Sequence, residues 1–543
     1  MQEKYRIGKR RAFRLFALIL GGLSVTLFSC QNLAKKEVDE AAMRDRHLRG
    51  VVNHESHRPF DSIFIDTFFT RYPLLEKYRT DVKEIYRQHQ FTEIWYDESG
   101  IVEFGHTIFS RSKDLSDEGL SILFPYQEQV DGIFENDKEN LLTETETDLM
   151  VTSLYLFYAG SVYKGVSDST TTAIGWLLPR KQLEFASLLD SLLNDPRILV
   201  RNDSIMFAQY YKLKDILRKY REIEKNGGWD PIDADPNRKS FKPGDTSVTI
   251  QQIRERLFMT GDLEKDSKSS LYDAELADAV KRYQLRNGKH ASEKILPEHI
   301  EEMNVPISER IRQIIVNMER CRWIPPEFAR SSEFIVVNIP SFRLNVYRDG
   351  KNIFESPVVV GKSMNKTVIF SGMMSYIVFS PYWNVPQSII NKEVKPGMAK
   401  NKNYLEAHHM EWNNGQVRQK PGKNNSLGQV KFIFPNSNDI YLHDTPAKSL
   451  FNKESRAYSH GCIRVGKPRD LAVTILAEDP DWSPSRIDAA MNSGKETTCV
   501  LKKKIPVYIG YFTAWVDEKG VINFYDDVYE RDDPLTALLL GSK

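Results

Sequence analysis

The chain has 543 residues, 41% of them hydrophobic and 27% charged, with a formal net charge of +1. That length exceeds a single hydrophobic core and predicts two to four domains. Near-neutrality leaves no field of the kind that steers proteins to nucleic acid, and none is expected as a partner.

The N-terminus is distinctive. "MQEKYRIGKRRAFR" is basic, the run "LFALILGGLSVTLFS" is apolar, and Cys30 follows at once. Its fifteen apolar or small residues fall short of the ~20 that span a bilayer. A basic flank, a short apolar run and a small residue at its end predict a secretory signal over residues 1–29. "LFSC" resembles a bacterial lipobox, which implies a lipid on Cys30 and a membrane anchor. An uncleaved signal anchor is the alternative. Either reading exports the body of the chain and places it in the cell envelope, facing the periplasm.

The exported body then holds Cys321, Cys462 and Cys499, an odd number in an oxidising compartment, so at least one thiol is unpaired. Cys321 lies on a helical pattern and Cys499 on a strand pattern. Both read as small buried residues, and a bond between them stays open.

Residues 30–60 read as a polar tether and 61–235 as a helical scaffold. "TETDLMVTSLYLFYAGSVYKG" places Leu149, Leu154, Tyr158 and Val162 on one helix face, and "KQLEFASLLDSLL" behaves alike. "EKNGGWDPIDADPNRKSFKPGDT" is a linker by its Gly, Pro, Asp and Asn content. Two helical stripes follow, Ile250, Ile253 and Leu257, then Leu276, Ala279, Val280 and Tyr283, separated by "TGDL". Residues 236–305 thereby resemble the peptidoglycan-binding modules of bacterial wall enzymes. "ASEKILPEHI" stands where that family carries "DGxIGxxT". Ile307, Ile311, Ile314, Ile315 and Met318 then mark one face of a connecting helix over 306–330.

After Pro325 and Pro326 the period changes to strict alternation, with a hairpin turn at Asp349-Gly350. Residues 331–510 are expected to form a β-rich domain with an insertion over 386–430 and a helix after Pro468, and 511–543 a hairpin and tail. The fold class is α+β.

The chemistry concentrates in "NDIYLHDTPAKSLFNKESRAYSHGCIRV". Alternation along "NDIYLHD" turns Ile440 and Leu442 to the core and presents Tyr441 and His443 on the other face. Nineteen residues beyond His443, "SHGC" places a thiol directly after Gly461. An imidazole that accepts the thiol proton activates the sulfur and can later protonate a leaving amine. Backbone N–H groups at Gly461 and Cys462 are candidates for an oxyanion hole. Two other readings compete: a zinc site of His443, His460 and Cys462, for which no fourth ligand is visible, and a structural histidine beside a buried cysteine.

The stretch from His443 to Val465 resembles the active-site segment of the bacterial L,D-transpeptidases, a histidine, a spacer and [ST]-H-G-C-x-R. The resemblance extends through "VVVGKSMNKTVIFS", "YIVFSPYWNVPQSIINKEV" and "PVYIGYFTAWVDEKGVINFYDDVY", toward the large multi-domain members. It implies Cys462 as nucleophile, His443 as proton acceptor and donor, and Ser459, His460, Gly461 and Arg464 as motif and oxyanion support. It implies no cofactor and no metal. The family's reaction joins donor and acceptor stem peptides of peptidoglycan by 3→3 cross-links. L,D-carboxypeptidase action and a non-catalytic wall-binding lipoprotein are the alternatives. The insertion carries Lys392, Lys395, Lys400, Lys402, Arg418, Lys420 and Lys423 against Glu393, Glu406 and Glu411. It reads either as a solvated excursion or as a lid whose cations meet substrate carboxylates, with Tyr441, Trp383, Lys392 and Lys420 as candidate substrate contacts.

Overall fold

The computed structural model describes residues 58–97, 100–135, 138–195, 198 and 205–541. The expected signal peptide, Cys30 and most of the tether lie outside the described residues. No helix among those described is long and apolar enough to cross a membrane. The chain divides into two compact units, one of residues up to Ser112, Phe124–Phe157 and Glu184–Arg201, the other of Lys113–Leu123, Tyr158–Leu183 and the remainder.

The first unit is helical. It includes helices Ile63–Arg71, Arg79–Gln88 and Gln127–Phe134 and a two-stranded ribbon of Tyr96–Asp97 with Gly100–Ile101. Its core holds the carboxyl of Asp148, fully buried, which accepts from the backbone N–H groups of Ile94 (3.0 Å) and Trp95 (2.7 Å) and from the Tyr86 hydroxyl. Burial raises the Asp148 pKa to about 7, against the lowering effect of those donors. Asp148→Ala strands buried donors that cannot reach water, so a loss of about 3 kcal/mol or more is expected from chemical denaturation.

In the second unit, helices Val248–Thr260, Ala274–Arg286 and Pro297–Met303 enclose a small core of Ile250, Ile253, Leu257, Leu276, Val280 and Tyr283. The stripes seen in the sequence are that core. Gly261 ends the first helix in the left-handed region (φ +85°), the cap geometry glycine accepts without strain.

The helix Ile307–Trp323 departs from the expected connector. Its last turns are buried on every face, including Asn317, Glu319, Arg320 and Arg322. Glu319 and Arg322 pair at 2.8 Å, Arg320 meets Asp532 at 2.7 Å, and Asn317 bonds Thr513. Charged residues read as solvent-facing in a sequence; here each has a partner that makes burial tolerable. Cys321 on this helix and Cys499 on a strand are buried free thiols, not bonded to one another.

The β-rich part is one nine-stranded sheet. In chain order its strands are β1 (Glu333–Asn338), β2 (Arg343–Arg348), β3 (Lys351–Gly361), β4 (Phe370–Phe379), β5 (Val430–Ile433), β6 (Leu442–His443), β7 (Ala457–Ser459), β8 (Ile463–Val465) and β9 (Thr497–Gly510). The order is β7-β3-β8-β6-β5-β4-β9-β1-β2. β3 pairs with β2 along its first half and with β8 and β7 along its second, so the sheet closes on itself. Asp349 (φ +49°) and Gly350 (φ +75°) form the β2–β3 turn with the two positive φ angles of a type I′ hairpin. A helix Pro468–Ile475 follows β8, and strands Ala514–Val516 and Ile522–Phe524 form the C-terminal hairpin.

The insertion builds its own small body. Trp383–Asn384, Met410–Asn413 and Gln416–Gln419 form a three-stranded sheet, and Val385, Ile390, Val394 and Val417 are its core.

Candidate active site

The site sits at the end of two neighbouring central strands. β6 pairs antiparallel with β5 and parallel with β8, so His443 stands between Lys431 and Arg464. Cys462 is the residue just before β8, in the loop that returns from β7. Central pairing explains one departure from the alternation argument: His443 is buried at 5% exposure instead of being presented openly.

His443 Nδ1 bonds the backbone carbonyl of its neighbour Asp444. A carbonyl only accepts, so Nδ1 carries the hydrogen and Nε2 keeps its lone pair. Burial, then the adjacent Arg464 charge, pushes the His443 pKa down to about 4. The ring is therefore neutral near pH 7. The Asp444 carboxylate turns elsewhere, to the N–H groups of Gln429 (2.9 Å) and Thr445 (2.7 Å) and to Lys448.

Cys462 is half-buried, and its thiol donates to the Asp439 carbonyl at 3.6 Å. Burial pushes the thiol pKa up, while the backbone and the phenol of neighbouring Tyr441 pull it down. No hydrogen bond between the described atoms of His443 and Cys462 is formed in this state. In this state both the Cys462 thiol and the His443 imidazole are therefore neutral near pH 7. Tyr441, a candidate substrate contact in the sequence, lies beside the Cys462 thiol, and its ring is 5.7 Å from that of His443.

The loop is held by hydroxyls. Buried Ser459 donates to the Cys462 carbonyl at 2.5 Å and accepts from the Gly461 N–H at 3.1 Å. Gly461 adopts φ +125°, a left-handed conformation that favours glycine. Arg464 has a buried Nε without a partner among the described residues. His460 is exposed, with Nε2 3.9 Å from the Glu393 carboxylate of the insertion.

The other expected contacts are distributed differently. Trp383 packs on the insertion's core. Lys420 and Arg418 both pair with Glu411, at 3.1 and 2.7 Å, and Arg418 also covers the Tyr382 ring. Lys392 is exposed. On the flank of β7 lies an open depression of about 430 Å³ whose lining includes Lys362, Ser363, Ala457 and Asp526. Among the described residues no group of three His, Cys, Asp or Glu is placed to hold a metal.

This geometry lies inside a segment with known relatives. Residues 332–500 match the family model of the L,D-transpeptidase catalytic domain, YkuD. Residues 80–217 match a scaffold domain. A Haemophilus influenzae protein, assigned in its name alone as an L,D-transpeptidase, is 35% identical over 254 residues, 42% of this chain and 50% of that protein. The chain therefore spans about half the length of the curated relative it matches. Among solved structures, an L,D-transpeptidase from Mycobacterium smegmatis aligns at 12% identity and TM-score 0.20, over 33% of this chain and 58% of that one. One from Stackebrandtia nassauensis aligns at 16% and 0.20, over 51% and 95%. Superpositions that low add no argument to the domain match.

Proposed function

We propose that the protein is a cysteine L,D-transpeptidase acting on peptidoglycan stem peptides from a lipid-anchored position in the envelope. One observation carries this reading: within the matched domain, a half-buried thiol on a braced loop adjoins a buried histidine whose free Nε2 is held neutral. In the proposed reaction the Cys462 sulfur attacks the carbonyl of the third, diamino acid of a tetrapeptide stem as its proton passes to His443. The bond to the terminal D-Ala breaks, His443 returns the proton to the departing amine, and a thioester remains. The side-chain amine of a second stem attacks that thioester, the sulfur leaves, and a 3→3 cross-link forms. Tyr441 supports the sulfur as charge builds on it. The depression beside β7 offers Lys362 and Asp526, opposite charges suited to the carboxylate and ammonium at an acceptor's end.

Incubation with disaccharide-tetrapeptide followed by mass spectrometry tests this. A cross-linked dimer is expected. Tripeptide monomer alone makes the protein an L,D-carboxypeptidase, and unchanged substrate leaves a wall-binding protein. Intact mass of the membrane-extracted protein checks the anchor, which requires a lipidated Cys30 and no residues 1–29.

The insertion's part is now narrower than its net charge suggested. Arg418 and Lys420 are engaged with Glu411, which leaves Lys392, Lys395, Lys400, Lys402 and Lys423 exposed, the first two on either side of Glu393. Reversing both to Glu is expected to raise KM about threefold to tenfold, the scale of one or two exposed ion pairs, with acylation by a small neutral ester unchanged. Reversing Lys420 should instead loosen the insertion's hairpin.

A further inference from the structure

We infer that Thr367 is a positioning residue that aims the Cys462 backbone N–H at the reacting carbonyl, with Tyr529 holding it in place. The inference rests on Cys462 being the nucleophile and concerns how its peptide bond is oriented.

The loop's hydrogen bonds single out one donor. The Gly461 N–H is taken by Ser459 and the Ile463 N–H by the Tyr441 carbonyl at 3.2 Å. Between them the Cys462 N–H has no acceptor among the described residues. A free N–H flanked by two satisfied ones, on the residue that bears the thiol, is what an oxyanion donor requires. Its direction follows from peptide planarity, because in a trans peptide the N–H points opposite the preceding C=O. That carbonyl, of Gly461, accepts from Thr367 Oγ1 at 2.8 Å. Thr367 thus fixes the back of the Gly461–Cys462 peptide and turns its front away. Gly461 has special need of such a tie. A Cβ built on it meets nothing within 4 Å, so no packing restrains a residue with an open range of backbone angles.

Thr367 is itself fully constrained. Its hydroxyl accepts from the Gly361 N–H at 2.9 Å, which leaves its single hydrogen for Gly461. Its own N–H donates to the Tyr529 hydroxyl at 3.2 Å, and that hydroxyl donates to the Gly361 carbonyl at 2.6 Å. Thr367 is 0% and Tyr529 1% exposed. Behind them, the Tyr529 N–H donates to the Tyr511 hydroxyl at 2.8 Å, and the Lys366 ammonium caps the Tyr529 carbonyl at 2.8 Å. Gly361 has no room for a side chain, since a Cβ there would stand 2.0 Å from the Asn365 carbonyl. The chain from Tyr511 through Tyr529 and Thr367 to Gly461 has no slack.

The test separates acylation from alkylation. Alkylation of Cys462 by iodoacetamide needs the thiolate but develops no oxyanion; acylation by p-nitrophenyl acetate or a tetrapeptide stem needs both. Thr367→Val keeps the shape and removes the hydroxyl. It is expected to slow acylation about 10- to 100-fold, short of deleting an oxyanion donor outright, with the alkylation rate and its pH profile as in wild type. Thr367→Ser should restore most of the acylation rate, and Tyr529→Phe should lose less than Thr367→Val. Wild-type acylation rates in Thr367→Val overturn the inference. So does equal slowing of acylation and alkylation, which would make Thr367 a structural tie alone. The aryl ester keeps this test independent of the stem-peptide reading: a wild-type protein that takes the ester and ignores stems sinks the proposed substrate and leaves the positioning role intact.

Discussion

Cys462→Ala is expected to reduce turnover of tetrapeptide stems by about 10⁴-fold or more while leaving the melting temperature nearly unchanged. The thiol is half-buried, and its one hydrogen bond in the loop, to the Asp439 carbonyl, is a long 3.6 Å. Little packing or bonding is lost with it, so the cost falls on chemistry. Cys462→Ser should be nearly as inactive, because a hydroxyl beside a weakly basic imidazole loses its proton far less readily than a thiol. The raised thiol pKa adds a second measurable consequence. Alkylation of Cys462 should rise with pH through an inflection above that of an ordinary cysteine, with no plateau of reactivity at neutral pH, as read by mass spectrometry of the modified peptide.

His443→Ala is expected to lower the acylation rate by about 10²–10⁴-fold, the usual worth of a positioned general base and acid. Because the folded pKa is lowered to about 4, wild-type activity should persist through mildly acidic pH and fall only as the ring protonates near pH 4. The same shift makes stability depend on pH. Between about pH 6.5 and 4 the unfolded chain binds a proton on this ring that the folded chain refuses, so stability falls as pH drops through that window. The total is on the order of 3 kcal/mol, and His443→Gln should flatten that part of the curve. His460→Ala, in contrast, should leave the alkylation profile of Cys462 in place. If the profile changes with His460 and not with His443, the roles must be exchanged.

The candidate site around Cys462 and His443 was legible because its signals are local. Strand alternation found β6, the SHGC motif found the loop, and Asp349-Gly350 found the hairpin before it. The small module was legible for the same reason, since its stripes recur at helical spacing and became its core. What failed to show was partnership at long range. Glu319 and Arg322 look like surface charges three residues apart, and only the fold buries them together. Tyr441 alternates with Leu442 and so could be placed on the site's face, yet no spacing rule says that its phenol meets the sulfur. Thr367 and Tyr529 are 162 residues apart; both fall in stretches that carry the family resemblance, yet nothing in either stretch says that the two meet. A sequence shows a histidine and a cysteine in one motif but not how much water both groups lose on burial.

The Tyr529 brace also separates what is inherited as a block from what operates as one. The family match ends at residue 500, yet β9 continues to Gly510 and its last four residues pair with β1. Tyr529, the proposed brace of the Cys462 loop, comes 29 residues beyond the match. A fragment trimmed to the matched segment would keep Cys462, His443 and the whole SHGC motif, and would lose most of a central strand together with the loop's distant anchor. Such a fragment could keep its sulfur open to small alkylating agents while acylating poorly. A weak result from it would then measure where the chain was cut and say little about what the intact molecule does.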